Sequence, residues 1–292
     1  MTDLNLLLLQ TVTGIALGSV YALLAIGLSL IFGMLTVVNF AHGAYFMMGA
    51  YIGVYVLGAT GSFLASLLAV FFTTGLLGLL TERVLVRPLY GRGPDYPLLL
   101  TFGLSYVIID VIRIIFGIEG LQSSTPSALQ GSVNIGIGYF PIYRLFLIAA
   151  AAVIITALWL FIEKSRYGLI IRAGARDPEI VRILGIDVAK VWLLVFGLGT
   201  AIAGLSGVLA APIRAVTPEM GIPVLVESFV VTVVGGMGSI GGAVIAGLLV
   251  GVVYSLTALY APALAELSIF ALMALVLCVR PQGLFGREGL ME

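Results

Sequence analysis

Long apolar stretches separated by short polar segments make up most of this sequence. Between Asp3 and Glu82 lie 78 residues without one Asp, Glu, Lys or Arg. A helix needs about 20 apolar residues to cross the hydrocarbon core of a bilayer, so this stretch alone holds about three spans. The whole chain has room for roughly eight to ten spans. The pattern therefore predicts an all-α, polytopic membrane protein.

The apolar runs locate the individual spans. We predict membrane helices over 6–33, from the polar interruption at 39–43 to about 58, and over 63–80, 98–117, 143–162, 191–211, 242–259 and 263–279. A further segment, 224–234, is predicted to be a short or discontinuous helix, because the glycine-rich stretch 235–242 breaks it. The chain has eight full spans if that helix re-enters the membrane and nine if it crosses.

Basic residues indicate which loops face the cytoplasm, because short cytoplasmic loops carry an excess of Lys and Arg. Six of the 14 basic residues lie in the loop 164–190, and three more lie in 83–92. The segment 118–142 has no Lys or Arg and is expected outside. The N-terminus is then outside and the tail, with Arg280 and Arg287, is cytoplasmic. That arrangement needs an odd number of spans and favours nine.

Composition narrows the classes of function. Hydrophobic residues make up 61% of the chain and charged residues 10%, against about 25% in soluble domains, which excludes a water-soluble enzyme. The 14 Lys and Arg balance 14 Asp and Glu, so no basic excess favours nucleic acid as a partner. Cys278 is expected to be a packed thiol. The N-terminus lacks the features of a cleaved signal peptide.

The inventory of reactive residues argues against an enzyme. The chain has one His and one Cys, and neither a His-Glu-x-x-His nor a Gly-x-Ser-x-Gly motif. We therefore expect no catalytic site, no metal site and no cofactor bound by this chain. Lys164-Ser165 lacks the preceding glycines of a phosphate-binding loop, so any energy from ATP must come through another subunit.

Several of the 37 glycines are spaced for close helix packing. Pairs four residues apart in apolar runs are Gly14 and Gly18, Gly49 and Gly53, Gly238 and Gly242, and Gly247 and Gly251. Such pairs allow helix backbones to approach closely in lipid. Tight static packing is the expected role, although a mobile helix interface has the same pattern.

The segment 176–185 predicts a short cytoplasmic helix with defined ends. Asp177 is a good N-cap, Pro178 suits the first helical position, and Gly185 can end the helix in the left-handed conformation. Glu179 complements the helix dipole. The helix carries more apolar residues than solvent exposure favours, and two arginines flank them: Ile180, Val181, Ile183 and Leu184, with Arg176 and Arg182. Such a helix lies on the lipid interface or fits a groove on a partner.

Polar breaks in the apolar runs are candidates for a solute path. Asn39 can cap a helix beginning at Phe40, which places His42 in its first turn, followed by Gly43. The break either lines the path, as discontinuous helices do in other transporters, or is only a helix cap beside a buried histidine. Its counterpart in the second half is the glycine-rich stretch that includes Gly235, Gly236 and Gly238.

One pair of charges lies inside a predicted span. Asp110 and Arg113 are three residues apart, which places them on one helix face, in the outer third of the membrane. They either neutralise each other or recognise the ends of a zwitterion on the solute path.

Three blocks of the sequence resemble a known family. They are GLSLIFGMLTVVNFAHGAYFMMGAYIG (27–53), RAGARDPEIVRILGIDVAK (172–190) and VVTVVGGMGSIGGAVIAGLLVG (230–251). All three are similar to the branched-chain amino-acid permeases of bacterial ABC importers, the leucine/isoleucine/valine type, over about 10–285. Glu179 and Gly185 also match the spacing of the Glu-Ala-Ala-x-x-x-Gly motif by which importer permeases dock onto their ATPases. Ile180 and Val181 replace the usual alanines there.

The resemblance implies a permease domain over 1–292 in the bacterial inner membrane, with 164–190 as its ATPase-coupling loop. The expected partners are two ATPase subunits that bind ATP and Mg²⁺, a second related permease in a heterodimer, and a solute-binding protein on the outer loops 118–142 and 212–223. The solute is expected to be a branched-chain amino acid. Other amino acids, urea or short amides are alternatives. A secondary transporter or channel is a different class, which the scarcity of buried carboxylates disfavours.

Overall fold

The computed structural model describes residues 3–35 and 37–286, and this part of the chain is almost wholly helical. Its eleven α-helices are α1 (Asp3–Leu35), α2 (His42–Thr60), α3 (Phe63–Thr81), α4 (Asp95–Phe116), α5 (Ile142–Lys164), α6 (Arg166–Arg176), α7 (Pro178–Ile183), α8 (Val188–Ala210), α9 (Gly221–Gly235), α10 (Ile240–Tyr260) and α11 (Ala265–Val279). A short antiparallel hairpin pairs β1 (Ser132–Asn134) with β2 (Tyr139–Pro141). The prediction of an all-α protein is confirmed.

Eight helical segments of the described residues are long and apolar enough to cross a membrane. They are α1, α2, α3 with the turns that follow it, α4, α5, α8, α10, and α11 with the turn before it. The remaining apolar helix, α9, has 15 residues. Its length is about 22 Å at 1.5 Å per residue, less than the roughly 30 Å hydrocarbon core. The polytopic architecture is therefore confirmed, while the ninth crossing stays a prediction.

The described residues divide into two compact units, and each draws on separate stretches of the chain. The first contains the described residues of 1–26, 124–155 and 227–292, and the second those of 27–123 and 156–226. Three of the four boundaries fall inside α1, α5 and α9, so these helices contribute residues to both units.

In the first unit, α1 packs against α10 through glycine. A Cβ atom added at Gly18 would lie 2.7 Å from the carbonyl oxygen of Gly247, and one at Gly14 would lie 2.6 Å from the Cα of Val252. The two backbones are thus closer than any side chain permits. Gln10 and Ser255 join the helices further along, since each side chain donates to the other residue's backbone carbonyl at 2.9 Å. Two of the predicted glycine pairs form this contact.

In the second unit, α8 is buried over most of its length and packs against α2 and α3. Gly204 of α8 lies against the backbone of Gly49 on one side and against Thr74 of α3 on the other. Seven residues earlier in α8, a Cβ added at Gly197 would lie 2.5 Å from the Cδ2 of Leu79. Small residues on all three helices therefore let them approach closely.

Two of the helices that begin earlier than predicted have a proline in the first turn. α4 begins at Asp95 rather than at 98, and α9 begins at Gly221 rather than at 224. Each has a proline at its third position, Pro97 and Pro223. The first turn of a helix tolerates proline, because the amide N–H groups there have no partner within the helix.

The prediction for Cys278 is wrong, because this residue is exposed. The buried residues of α11 are Ala265, Ile269 and Val276, which share one face of the helix. Cys278 lies off that face. Of the two basic residues predicted for the cytoplasmic tail, Arg280 is described and Arg287 lies outside the described residues.

Candidate functional site

The short helix α7 forms with the predicted ends. The Oδ1 atom of Asp177 accepts hydrogen bonds from the backbone N–H groups of Glu179 and Ile180, both at 3.0 Å. Pro178 is the first helical residue. After the helix, Gly185 adopts a φ of 79°, in the left-handed region, and its N–H donates to the Arg182 carbonyl at 3.0 Å. The capping predictions for Asp177, Pro178 and Gly185 are confirmed.

The large apolar residues of α7 and of its C-cap, Leu184, comprise one buried side chain and three exposed ones. Val181 is only 3% exposed, whereas Ile180, Ile183 and Leu184 are 56%, 84% and 71% exposed. Val181 thus anchors the helix to the rest of the chain, and the other three side chains present an uncovered apolar surface. Arg176, Glu179 and Arg182 are exposed beside it.

A second helix, α6, precedes α7 in the loop 164–190 and was not predicted, because this part was interpreted as loop. Ser165 caps it by accepting from the Gly168 N–H at 2.9 Å. Ile171 is buried, and Arg172 forms an ion pair with Glu163 at the end of α5. The Ser165 cap followed by apolar residues at helical spacing was the signal that would have found it.

The connection from α7 to α8 is short and hydrogen-bonded. The Ile186 N–H donates to the Val181 carbonyl at 3.3 Å. Asp187 then caps α8, because its Oδ1 accepts from the Ala189 N–H at 3.1 Å. The loop therefore holds the start of α8 close to the buried side of α7.

A buried ion pair that was not predicted lies at the end of α3, in a segment interpreted only as a basic loop. The Glu82 side chain is fully buried, in a π-helical turn (Glu82–Val86) that continues α3. Arg87 donates to both of its carboxylate oxygens, at 3.2 and 3.0 Å. The Tyr90 hydroxyl also donates to it, at 2.7 Å. Burial, helped by that hydrogen bond, raises the pKa of Tyr90 above its usual range.

The break before α2 differs from the prediction in its register. α2 begins at His42, two residues later than predicted, and Asn39 does not cap it. Instead the Asn39 Oδ1 accepts from the Ala41 N–H at 3.1 Å and closes a turn ahead of the helix. This local bond satisfies the side chain before the helix begins, as asparagine commonly does.

The residues around this break are tightly packed. Asn39 and His42 are both buried. The His42 ring lies against Gly27 of α1, where an added Cβ would be 3.0 Å from its Cε1. Gly43 lies against the backbone of Gly221 at the start of α9. The second unit therefore brings together the first turns of two helices at glycine.

The second predicted break, between α9 and α10, is also present. Gly236 and Gly238 have φ values of 97° and 82°, which only glycine adopts readily. Gly235 accepts a hydrogen bond from the Phe285 N–H at 3.0 Å, so the segment after α11 packs on this break. These glycines lie in the first unit, whereas Asn39, His42 and Gly43 lie in the second.

Asp110 forms the predicted pair with Arg113, at 3.1 Å. Arg113 also reaches Glu219, just ahead of α9, at 2.6 Å. The hydrogen bond from Arg113 holds the pKa of the Glu219 carboxyl below its ordinary value. Glu219 was not predicted, because nothing in the local sequence indicates an ion pair between residues 106 positions apart. All three side chains are at least 39% exposed.

The two segments predicted to form outer loops meet in the second unit. The Leu121 N–H donates to the Val216 carbonyl at 2.8 Å. A cavity of about 400 Å³ lies between 120–123 and 211–216.

Comparison with known sequences decides the family. The sequence model described as "Branched-chain amino acid transport system / permease component" matches residues 10–279. The chain belongs to this permease family. It is 31% identical to the high-affinity branched-chain amino acid transport system permease protein BraD of Pseudomonas aeruginosa. It is 32% identical to the corresponding protein LivH of Escherichia coli K12. Each alignment covers 95% of both chains.

A solved structure has a similar fold. The chain resembles a protein in the structure titled "PsaBC from Streptococcus pneumoniae in complex with Fab", with a TM-score of 0.50 and 12% identity over 91% of this chain and 89% of that one. This likeness concerns the fold alone. Membership of the permease family confirms the resemblance seen in the sequence and makes the chain a transport subunit rather than a catalytic one.

Proposed function

We propose that this chain is the membrane-spanning subunit of an importer for branched-chain amino acids. An extracellular binding protein delivers the solute, a second related permease completes the path in a heterodimer, and two ATPase subunits on the cytoplasmic side supply the energy. The N-terminus is outside, the C-terminus is cytoplasmic, and α9 is the ninth crossing. Family membership and near full-length similarity to BraD and LivH support this proposal.

The uncovered apolar surface of α7 is the observation that carries the proposal. Ile180, Ile183 and Leu184 are exposed on a helix whose ends are fixed by Asp177 and Gly185. Full burial of one such side chain contributes about 1.5–3 kcal/mol, so a groove that covers all three gains several kcal/mol. The occupant we propose is the ATPase subunit, because α7 lies in the most basic loop of the chain and Glu179 and Gly185 match the docking-motif spacing.

We assign the solute path to the helix breaks at Asn39, His42 and Gly43 and at Gly235, Gly236 and Gly238, with Asp110 nearer the outer end. The glycines at these breaks carry no side chain, so a path along them is lined mainly by backbone. A path of this kind binds the solute weakly. That property suits a permease, because the binding protein provides the affinity and the path must release the solute. The outer cavity between 120–123 and 211–216 is where we place the binding protein.

The docking role of α7 is tested by copurification with the ATPase subunits. Ile183→Asp places a carboxylate in the proposed contact, and we expect the ATPases to be lost while membrane insertion and the melting temperature are unchanged. Ile118→Asp is the matched control, because Ile118 is also an exposed isoleucine, 79% exposed, in the segment after α4. The control should retain the ATPases. Retention in both variants means that α7 lies on lipid instead.

The transport function is tested by reconstitution in vesicles, with leucine uptake followed for this chain alone and with its ATPases, second permease and binding protein. We expect uptake only in the complete system, and only when ATP is present on the side of the membrane that carries the ATPase subunits. Uptake by this chain alone, driven by an ion gradient and indifferent to ATP, identifies a secondary transporter and refutes the proposal.

The assignment of the path is tested with His42→Ala in the complete system. We expect slower uptake with intact complex formation. Unchanged uptake would place His42 in the static core beside Gly27 rather than on the path.

A further inference from the structure

The fully buried carboxylate Glu82 has no role in the proposed function. A buried carboxylate is costly unless a positive group and further hydrogen bonds satisfy it. Arg87 and Tyr90 do so here, with three hydrogen bonds between 2.7 and 3.2 Å. Replacing such a buried pair by apolar residues is often neutral or stabilising, so stability alone does not account for it. The geometry that the pair imposes is the better explanation.

Arg87 connects this carboxylate to the start of α8. Its Nη2 atom donates to the Glu82 Oε2 and also to the Ala189 carbonyl, both at 3.0 Å. Ala189 is the second residue of α8. A guanidinium group can make these bonds together because its donors lie in a rigid planar fork, which the ammonium group of lysine lacks. Beside this link the ring of Tyr90 packs edge-on against Trp192 of α8, with the ring centres 4.6 Å apart.

The same turn of α8 is connected to α7. Ile186 is bonded to the Val181 carbonyl at 3.3 Å, and Asp187 caps α8 through Ala189 at 3.1 Å. The Ala189 N–H therefore donates to Asp187, and the Ala189 carbonyl accepts from Arg87. A continuous series of contacts runs from the buried side of α7, through the first turn of α8, to the end of α3.

Further along, α3 and α8 have little room to slide past each other. Gly78 of α3 lies against the side chain of Thr200, and a Cβ added at Gly75 would lie 3.3 Å from the Cβ of Ala201. A displacement applied at the Arg87 link is thus carried along both helices together.

We propose that Arg87, held by Glu82, is a positioning residue that transmits the movement of α7 to α3 and α8 as one body. The inference rests on the proposed function, since it takes α7 as the contact for the ATPases. When ATP binding displaces α7, the link at Ala189 moves the end of α3 with the start of α8. Without the link, the start of α8 moves with α7 while the segment 82–90 at the end of α3 lags behind.

The test uses Arg87→Lys in the complete reconstituted transporter, because lysine keeps the charge for Glu82 but cannot bond Glu82 and Ala189 as a fork. Arg92→Lys is the matched control, an exposed arginine in the same cytoplasmic segment. We expect Arg87→Lys to assemble with the ATPases and to hydrolyse ATP at the basal rate. The number of leucine molecules imported per ATP should fall by about tenfold, the factor expected from losing one charge-assisted hydrogen bond. The control should match the unmodified protein.

A second measurement does not depend on uptake. Hydrogen exchange is followed in 82–90 and in 178–186 before and after the ATPases are trapped with ATP and vanadate. In the unmodified protein both segments should change together, and in Arg87→Lys only 178–186 should change. Normal import per ATP, joint changes in exchange, or loss of assembly in Arg87→Lys would each overturn the inference.

The outcome is distinguishable from failure of the proposed function. If α7 does not contact the ATPases, Ile183→Asp retains them, whatever Arg87→Lys does. If α7 is the contact but Arg87 is not the link, Ile183→Asp loses the ATPases and Arg87→Lys imports leucine with normal stoichiometry.

Discussion

The glycine contact between α1 and α10 makes a quantitative prediction for Gly18→Ala. The added Cβ would lie 2.7 Å from the Gly247 carbonyl oxygen and 2.8 Å from the Leu248 Cα. Optimal carbon contacts are about 3.5–4.0 Å, so the two backbones must separate by roughly 0.7 Å or more at this point. Because the obstructing atoms are backbone, no change of rotamer relieves the contact.

The magnitude follows from that separation. A gap of about 0.5–1 Å loses a quarter to a half of the dispersion energy of each contact along the seam, and overpacking of this kind costs about 1–3 kcal/mol. The ratio of folded to unfolded protein should therefore fall by about 5- to 150-fold. Gly247→Ala should lower the free energy of unfolding less in the Gly18→Ala background than in the unmodified protein. The reason is that Gly18→Ala has already separated the same two helices.

The free energy of unfolding is measured by titration with SDS in mixed micelles, followed by tryptophan fluorescence. Gly103→Ala is the control, because Gly103 of α4 has open space where its Cβ would be, and alanine favours a helix over glycine by up to about 1 kcal/mol. The control should be as stable as the unmodified protein or more stable. If Gly18→Ala is no less stable than Gly103→Ala, the close approach of the two backbones does not stabilise this fold.

Three further predictions concern polar contacts and a turn. Glu219→Gln should lower the free energy of unfolding by at most about 1 kcal/mol at pH 7, because the ion pair with Arg113 is exposed. The pKa of Glu219 is lowered in the folded protein, so the difference in free energy of unfolding should persist above the ordinary glutamate pKa. It should vanish as the pH falls through the folded pKa. A difference that grows in acid would contradict the assignment. Tyr45→Phe should lower the free energy of unfolding by about 1–3 kcal/mol, since it leaves the buried Thr81 hydroxyl without its partner at 2.5 Å. Adding Thr81→Val should recover part of that loss in the same SDS titration. Gly185→Ala should lower the folding stability by about 1–2 kcal/mol, because Gly185 has a φ of 79°, and Gly185→Asn should lower it less. The melting temperatures of the two variants test this order.

Local chemistry made several elements predictable from sequence. The spans followed from apolar runs of sufficient length, because the bilayer imposes that length on any crossing helix. The ends of α7 followed from Asp177 and Gly185, since a cap bonds only to backbone within a few residues. Asp110 and Arg113 pair for the same reason, being one helical turn apart.

The errors have equally local causes. A cap was expected at Asn39, but a turn that uses the same side chain closes first, and the helix begins at His42. α4 and α9 were predicted to begin directly after Pro97 and Pro223, although the first turn of a helix accepts proline. Cys278 was expected to be packed because its neighbours are apolar, yet in lipid an apolar helix face need not be covered by protein.

By itself, the sequence determined that this chain is an α-helical membrane protein, which loop carries the short capped helix α7, and which family it resembles. These features depend on composition, on runs of residues and on contacts within one turn. Only the tertiary structure decided which glycines face a second backbone, that Glu82 is buried with Arg87 and Tyr90, and that Arg87 meets Ala189. Arg87 and Ala189 are 102 positions apart, and no periodicity in the chain relates them. Their meeting is a consequence of how closely glycine lets α3 and α8 pack.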